Sequence, residues 1–140
     1  MSDFEIPHAP ADPVSAVVFC RDASSSRASQ ALVASWDKNV RLYDLGGSAN
    51  PAAIPVLQTY LHDAAVLDVC WISDDLAASA SLDRRVRLLN LTTGQMMVLG
   101  KHDAAVCRVR YDPSTRASLL TRAPHIYVLG RVAQAVGSSC

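Results

Sequence analysis

The chain repeats itself. Val14-Ser15-Ala16-Val17-Val18-Phe19, Val66-Leu67-Asp68-Val69-Cys70-Trp71 and Val106-Cys107-Arg108-Val109-Arg110-Tyr111 share the pattern Val-x-x-Val-x-aromatic and start 52 and 40 residues apart. A second block follows the first two copies. Ser35-Trp36-Asp37-Lys38-Asn39-Val40-Arg41-Leu42-Tyr43-Asp44-Leu45 matches Ser81-Leu82-Asp83-Arg84-Arg85-Val86-Arg87-Leu88-Leu89-Asn90-Leu91 at six of eleven positions. A third block precedes the later two units, where His62-Asp63-Ala64-Ala65-Val66 recurs unchanged as His102-Asp103-Ala104-Ala105-Val106. A unit of this period cannot bury an apolar face alone, so the chain must stack its units against one another.

Within each unit the apolar runs are short, rich in β-branched residues and bounded by Asp, Ser, Gly and Pro, which favours strands over helices. The strands expected are 14–19, 31–35, 40–44 and 54–60 in the first unit, 66–71, 76–80, 86–90 and 95–99 in the second, and 106–111 and 118–121 in the third. Residues 21–30 read as a solvated connection, residues 46–51 lengthen the first unit, and Thr92-Thr93-Gly94 reads as a tight turn. Short strands at this spacing predict an all-β fold, an incomplete β-propeller of about two and a half blades, each a four-stranded antiparallel sheet. The organisation expected is an N-terminal segment 1–13, a first blade 14–60, a second 61–100, the start of a third 101–121 and an off-pattern tail 122–140.

Composition narrows the function classes. Of 140 residues, 50% are hydrophobic and 19% charged, which is globular rather than disordered. Thirteen basic residues balance thirteen acidic ones, and no basic stripe interleaved with aromatics is present, so direct nucleic-acid binding is not expected. No apolar run is long enough to cross a bilayer as a helix, the acidic start Met1-Ser2-Asp3 is unlike a secretory leader, and no membrane partner is expected. Cys20, Cys70, Cys107 and Cys140 have no Cys-x-x-Cys spacing; the three inside apolar alternating segments read as buried, reduced thiols of a cytosolic or nuclear protein, and Cys140, in the off-pattern tail, as an exposed, reactive one.

The His-Asp pairs at 62–63 and 102–103 raise the question of a metal phosphohydrolase. That chemistry needs further ligands converging on one site, and only His8 and His125 remain. Both pairs also recur in register with the strands, which points to architecture. No nucleophile elbow, Walker loop or zincin motif occurs. No catalytic residue, cofactor or metal is expected, and the chain is read as no enzyme. Asp37 and Asp83 precede Val-Arg-Leu in a two-strand connection, where a carboxylate can accept N–H bonds across the turn.

The order His-Asp, Val-x-x-Val-x-aromatic, Ser-x-Asp-x-x-Val-Arg-Leu resembles the WD repeat. The resemblance implies a structural network of His, Ser or Thr, Asp and a strand Trp. In the second unit it takes His62, Asp83 and a serine at 79 or 81, with Leu89 in place of the Trp. In the first it takes Ser35, Asp37 and Tyr43, with Pro13-Val14 where the His region is expected. Ser35, Asp37, His62, Ser81, Asp83 and His102 are therefore read as structural blade residues. Phe4-Glu5-Ile6-Pro7 with Ser35-Trp36-Asp37 and Val40-Arg41-Leu42-Tyr43-Asp44 resembles the spindle-checkpoint, budding-uninhibited-by-benzimidazole branch of the family. The segment from His62 to Trp71 also resembles the paralogous RNA-export branch at the nuclear pore.

Either branch implies a non-enzymatic scaffold. The checkpoint branch implies GLEBS-type helical peptides of checkpoint kinases and adaptors, a phosphorylated kinetochore scaffold, and a place in the nucleus at the kinetochore during mitosis. The export branch implies a nucleoporin peptide. Trp36, Lys38, Arg84 and Arg85 are the candidate partner-binding residues, because they lie on the Asp turns at a blade edge. For Trp36, packing between blades is the alternative placement; for the three cations, a solvated turn.

The resemblance implies a closed ring of about seven blades and a chain at least twice as long. An open wedge leaves strand edges unpaired and is expected to be marginal and aggregation-prone. After Leu119-Leu120-Thr121 the repeat calls for Ser-x-Asp. Read one base later, Val128-Leu129-Gly130-Arg131-Val132-Ala133-Gln134 can encode Ser-Trp-Asp-Ala-Ser-Leu-Arg, which leads to the expectation of a frameshift and of a truncated copy.

Overall fold

A computed structural model describes residues 6, 8–22, 24–46, 50, 53–112, 118–122 and 126–131; from residue 112 onward it gives the strand path alone. Among the described residues, eleven strands form three antiparallel sheets. The first sheet runs in the order β1 (Val14–Phe19), β2 (Gln30–Ser35), β3 (Asn39–Asp44), β4 (Val56–Leu61). The second runs β5 (Val66–Trp71), β6 (Leu76–Ser81), β7 (Arg85–Asn90), β8 (Met96–Lys101). The third pairs β9 (Arg108–Asp112), β10 (Ser118–Arg122) and β11 (Ile126–Arg131). Each sheet is a meander, and β5 of the second packs on β1 and β2 of the first as β9 of the third packs on β5 and β6. The molecule is an open wedge of propeller blades.

Side-chain alternation explains the stacking. On β2, Leu32 and Ala34 face the second blade and meet Val66, Val69 and Leu89 there, while Val33 faces the other way. On β6, Ala77 faces the first blade, and Ala78 and Ala80 face the third, where Val106 and Val109 lie. Both strands are covered on two sides, so their sequences, Ala-Leu-Val-Ala and Leu-Ala-Ala-Ser-Ala, are nearly continuous runs of small or apolar residues rather than alternating ones. Polar ties cross the same joints. The Ser15 hydroxyl donates to the Val66 carbonyl (2.6 Å), the Trp71 indole N–H to the Val18 carbonyl (2.8 Å), and the Tyr60 hydroxyl to the Asn90 carbonyl (2.6 Å). Between the second and third blades, buried Asp68 accepts from the Val109 N–H (3.0 Å) and from Arg110.

The strands differ in detail from expectation. The fourth strand of the first blade starts at Val56 rather than 54, because Ile54 turns into a separate cluster with Val33 and Tyr43. The third blade's first strand starts at Arg108 rather than 106, because the Val106 N–H is taken by the Ser81 carbonyl (3.2 Å). Residues 126–131, inside the off-pattern segment, form β11 on β10. The tight turn at 92–94 has Gly94 at φ 77°, and Asn90 Oδ1 accepts the Thr92 and Thr93 N–H groups. Cys70 is buried and its thiol is pushed up to about 12, chiefly by burial; Cys20 is half-buried. Cys107, contrary to the expectation of a buried thiol, is exposed. Cys140, His125 and residues 47–49 of the first long loop lie outside the described residues. No described helix is long and apolar enough to cross a membrane.

Candidate binding face

The β2–β3 and β6–β7 hairpins turn at the same end of the wedge, and both are built the same way. In the first, the Ser35 hydroxyl donates to the Pro13 carbonyl (3.0 Å) and accepts from the Asp37 N–H (3.2 Å). Asp37 Oδ1 accepts the Asn39 N–H (3.1 Å), and its Oδ2 pairs with Arg41 at 2.7 Å. In the second, the Ser81 hydroxyl bonds Asp83, Asp83 Oδ1 accepts the Arg85 N–H (3.1 Å), and Oδ2 pairs with Arg87 at 2.6 Å. The guanidinium of Arg87 and the hydroxyl of Ser81 hold the Asp83 carboxyl at about 2, against the opposing effect of burial. Asp37 is held below the ordinary range in the same way by Arg41.

These carboxylates fix a turn whose fourth residue, Lys38 or Arg84, takes a left-handed conformation, with φ 75° and 72°. The Lys38 carbonyl then accepts the His62 N–H (2.7 Å) and the Arg84 carbonyl the His102 N–H (2.8 Å), so each hairpin is clamped by the segment that leads into the next blade.

Of the two serines the sequence left open beside His62, the buried network uses Ser79. His62 Nε2 meets the Ser79 hydroxyl at 2.7 Å, not Ser81, and Nδ1 meets the Tyr60 carbonyl at 3.0 Å. A carbonyl only accepts, so Nδ1 carries the proton and Nε2 accepts from Ser79. Burial holds the His62 pKa below its ordinary 6.5, in keeping with this neutral ring. Ser81 instead belongs to a charged cluster with Asp83 and buried Arg87, to which Asp63 adds contacts of 3.2 Å to Arg87 and 2.9 Å to Arg85. Among the described residues no group of His, Cys and acidic side chains is arranged to hold a metal ion, and both His-Asp pairs sit at blade joints.

Of the four candidate contact residues, Trp36 stands in solvent at its hairpin tip, 55% exposed, rather than between blades. Lys38 and Arg84 are exposed on the same turns. Arg85 is half-buried and paired with Asp63, so its charge is already engaged. Sequence reasoning passed over Leu82, which occupies the repeat position of Trp36 and is 53% exposed. The alignment of Ser-Trp-Asp with Ser-Leu-Asp was the signal for it. Backbone bonds place each tip beside its own inner strand, Trp36 N–H to Pro13 O (3.0 Å) and Leu82 N–H to Ala65 O (2.9 Å). The face therefore presents an apolar side chain and a free cation at the same place on two successive blades.

Stacked four-stranded meanders with a Ser-Asp hairpin clamp define the class, a WD-type propeller. The family model described as "WD domain, G-beta repeat" matches residues 5–44 and 55–90, and the chain belongs to that family. The chain is 36% identical to mitotic checkpoint protein BUB3.1 of Arabidopsis thaliana, over 77% of this chain and 28% of that protein. It is 35% identical to protein Rae1 of Drosophila melanogaster, over 76% and 30%, and 32% identical to the poly(A)+ RNA export protein of Schizosaccharomyces pombe, over 78% and 29%. The chain thus spans under a third of the length of these relatives. The crystal structure of the WD40 β-propeller domain of Doa1 superposes with a TM-score of 0.63 at 20% identity, covering 81% of this chain and 34% of that one, which speaks to the fold alone.

Proposed function

We propose that this chain forms part of a non-enzymatic scaffold of the mitotic spindle checkpoint, working in the nucleus at the kinetochore. Its hairpin face binds helical, GLEBS-type peptide segments of checkpoint kinases and adaptors. The observation that carries this reading is the repeat of an exposed apolar residue and an exposed cation, Trp36 with Lys38 and Leu82 with Arg84, on two clamped turns. A rigid turn presents such side chains without a large ordering cost, and an amphipathic helix with an acidic flank offers the matching surface. The same two cations suit the phosphorylated segments of a kinetochore scaffold. Similarity to a protein named for the mitotic checkpoint supports the checkpoint branch. Similarity to proteins named for RNA export supports a second reading, an adaptor at the nuclear pore that docks a nucleoporin peptide by the same face.

The test is fluorescence anisotropy of labelled GLEBS-type peptides, one from a checkpoint kinase and one from a nucleoporin, with the chain and its Trp36→Ala and Lys38→Glu/Arg84→Glu variants. The checkpoint reading predicts tighter binding of the kinase peptide and a loss of about 2 kcal/mol, roughly thirtyfold, for Trp36→Ala. Preference for the nucleoporin peptide favours the second reading. Binding that none of the variants weakens rejects the hairpin face.

A further inference from the structure

The same repeat positions lie in different surroundings in the three blades. Val66 and Val69 on β5 are fully buried against the first blade, with Trp71 packed on the same cluster. Val106, just ahead of β9, and Val109 on it are fully buried against the second blade, with Tyr111 beside them. Their counterparts on β1, Val14, Val17 and Phe19, are 48, 52 and 58% exposed. Ile6 packs on that side of the first blade over Val33, Tyr43 and Ile54, and leaves these three side chains open. The first blade therefore carries the receiving half of a blade joint, and no blade covers it among the described residues.

The two internal joints show what covers such a face. The covering blade supplies two residues from its second strand and two from its third, paired in register. They are Leu32 with Leu42 and Ala34 with Val40 at one joint. At the other they are Ala78 with Leu88 and Ala80 with Val86. In the third blade the same register positions hold Leu120 with Val128 and Arg122 with Ile126. Three of these four are apolar; Arg122, where the other blades have alanine, is the exception. The described chain thus has both halves of one joint, one in its first blade and one in its third. Three blades are fewer than the roughly four to eight that close a propeller, so the two halves cannot meet within one three-bladed wedge.

We propose that the open face of the first blade takes the third blade of a second copy of this chain, and that two copies close head to tail into a six-bladed ring. The contact is heterologous: each copy gives its first blade to one joint and its third to the other. Each joint removes Val14, Val17 and Phe19 from water, as the first internal joint does for Val66, Val69 and Trp71. Thirteen basic and thirteen acidic residues leave no net charge to hold the copies apart. Closure of both joints stops growth at two copies.

The test is sedimentation velocity of the chain between about 1 and 100 µM, with circular dichroism to show that each variant keeps its strands. The ring predicts a shift from one copy to two and no further. Val17→Arg, at a side chain already exposed in the single copy, should raise the concentration of half-association at least about tenfold. Leu120→Glu, on the other half of the joint, should do the same. An equimolar mixture of the two variants should associate more than either alone, because a mixed pair keeps one intact joint, a recovery that only a head-to-tail contact gives. Trp36→Ala, on the hairpin face, should associate as the native chain does. Hydrogen exchange of residues 14–19 in the native chain, which needs no third-blade variant, should slow as the concentration rises over the same range. A chain that stays single at about 100 µM, growth past two copies, unweakened association of Val17→Arg, or exchange at 14–19 that ignores concentration overturns the proposal.

Discussion

The two blades hold equivalent arginines in unequal surroundings, and the difference yields a quantitative prediction. Arg87 is buried and has carboxylates on two sides, Asp83 at 2.6 Å and Asp63 at 3.2 Å, with the Ser81 hydroxyl at 3.5 Å. Arg41, at the same repeat position, has Asp37 alone among the described residues, where its Nη1 is a buried nitrogen with no hydrogen-bond partner. The repeat explains the gap. With Val14 set against Val66, the position of Asp63 falls on Ala11, whose N–H already reaches the Asp37 carboxylate. Ala11→Asp should therefore supply the missing acceptor. A hydrogen bond to a charged group contributes about 1.5–3 kcal/mol. Ordering the new side chain and placing it near Asp37 cost roughly half of that, which leaves a net gain of about 1 kcal/mol. For a chain of this length the gain corresponds to about 4 °C in Tm. The assay is thermal and urea unfolding of Ala11→Asp in the native background and in Arg41→Met. The gain should vanish or change sign in Arg41→Met, where the two carboxylates only repel. An equal effect in both backgrounds, or no effect in the first, would refute the reasoning.

Four other outcomes follow from the geometry. Ser79→Ala removes the donor to buried His62 Nε2 and should cost about 1–2 kcal/mol by urea unfolding, whereas Ser81→Ala should leave His62 chemistry unchanged in a histidine NMR titration. Because the folded protein holds the His62 pKa below 6.5, the unfolded chain binds the proton more tightly. The stability from the neutral ring is present above about pH 6.5 and lost as pH falls toward the lowered folded value, so His62→Gln should flatten the fall in urea midpoint between pH 7 and pH 5.5. Arg84→Gly relieves a left-handed backbone and should raise stability by about 0.5–1 kcal/mol while weakening peptide binding, which separates the two roles of that turn by calorimetry and anisotropy. Asp83→Asn leaves buried Arg87 with Asp63 alone and should cost about 2 kcal/mol in urea unfolding, with the loss fading from about pH 4, where the unfolded chain's carboxyl begins to protonate, to about pH 2, where the folded one does.

The fold was largely legible because its two signals are local. Apolar alternation places β1 and β5 at the observed residues, and the repeat aligns the hairpins. What escaped the sequence is what depends on depth along a strand or on a neighbouring blade. Ser79 and Ser81 lie on the same face of β6, two residues apart, and only the register against β5 decides that Ser79 is the one opposite His62. Arg85 reads as a free cation in the motif, but Asp63, twenty-two residues away in sequence, claims it. β11 escapes the repeat pattern because it lies where the repeat calls for Ser-x-Asp and that motif is absent, although Ile-Tyr-Val-Leu is itself a strand-forming run. Trp36 and its exposed setting show the reverse case, where a residue on a three-residue tip between paired strands has no partner sheet to enter and must face water.

The most direct test of the scaffold reading is a hydrogen-exchange footprint of the chain with and without a saturating GLEBS-type checkpoint-kinase peptide. Binding at the hairpin face predicts slowed exchange at 35–39 and 81–85, with residues 20–22 and 72–74 at the opposite end unchanged. Protection confined to that opposite end, or unchanged exchange at both hairpins under saturation, would contradict it.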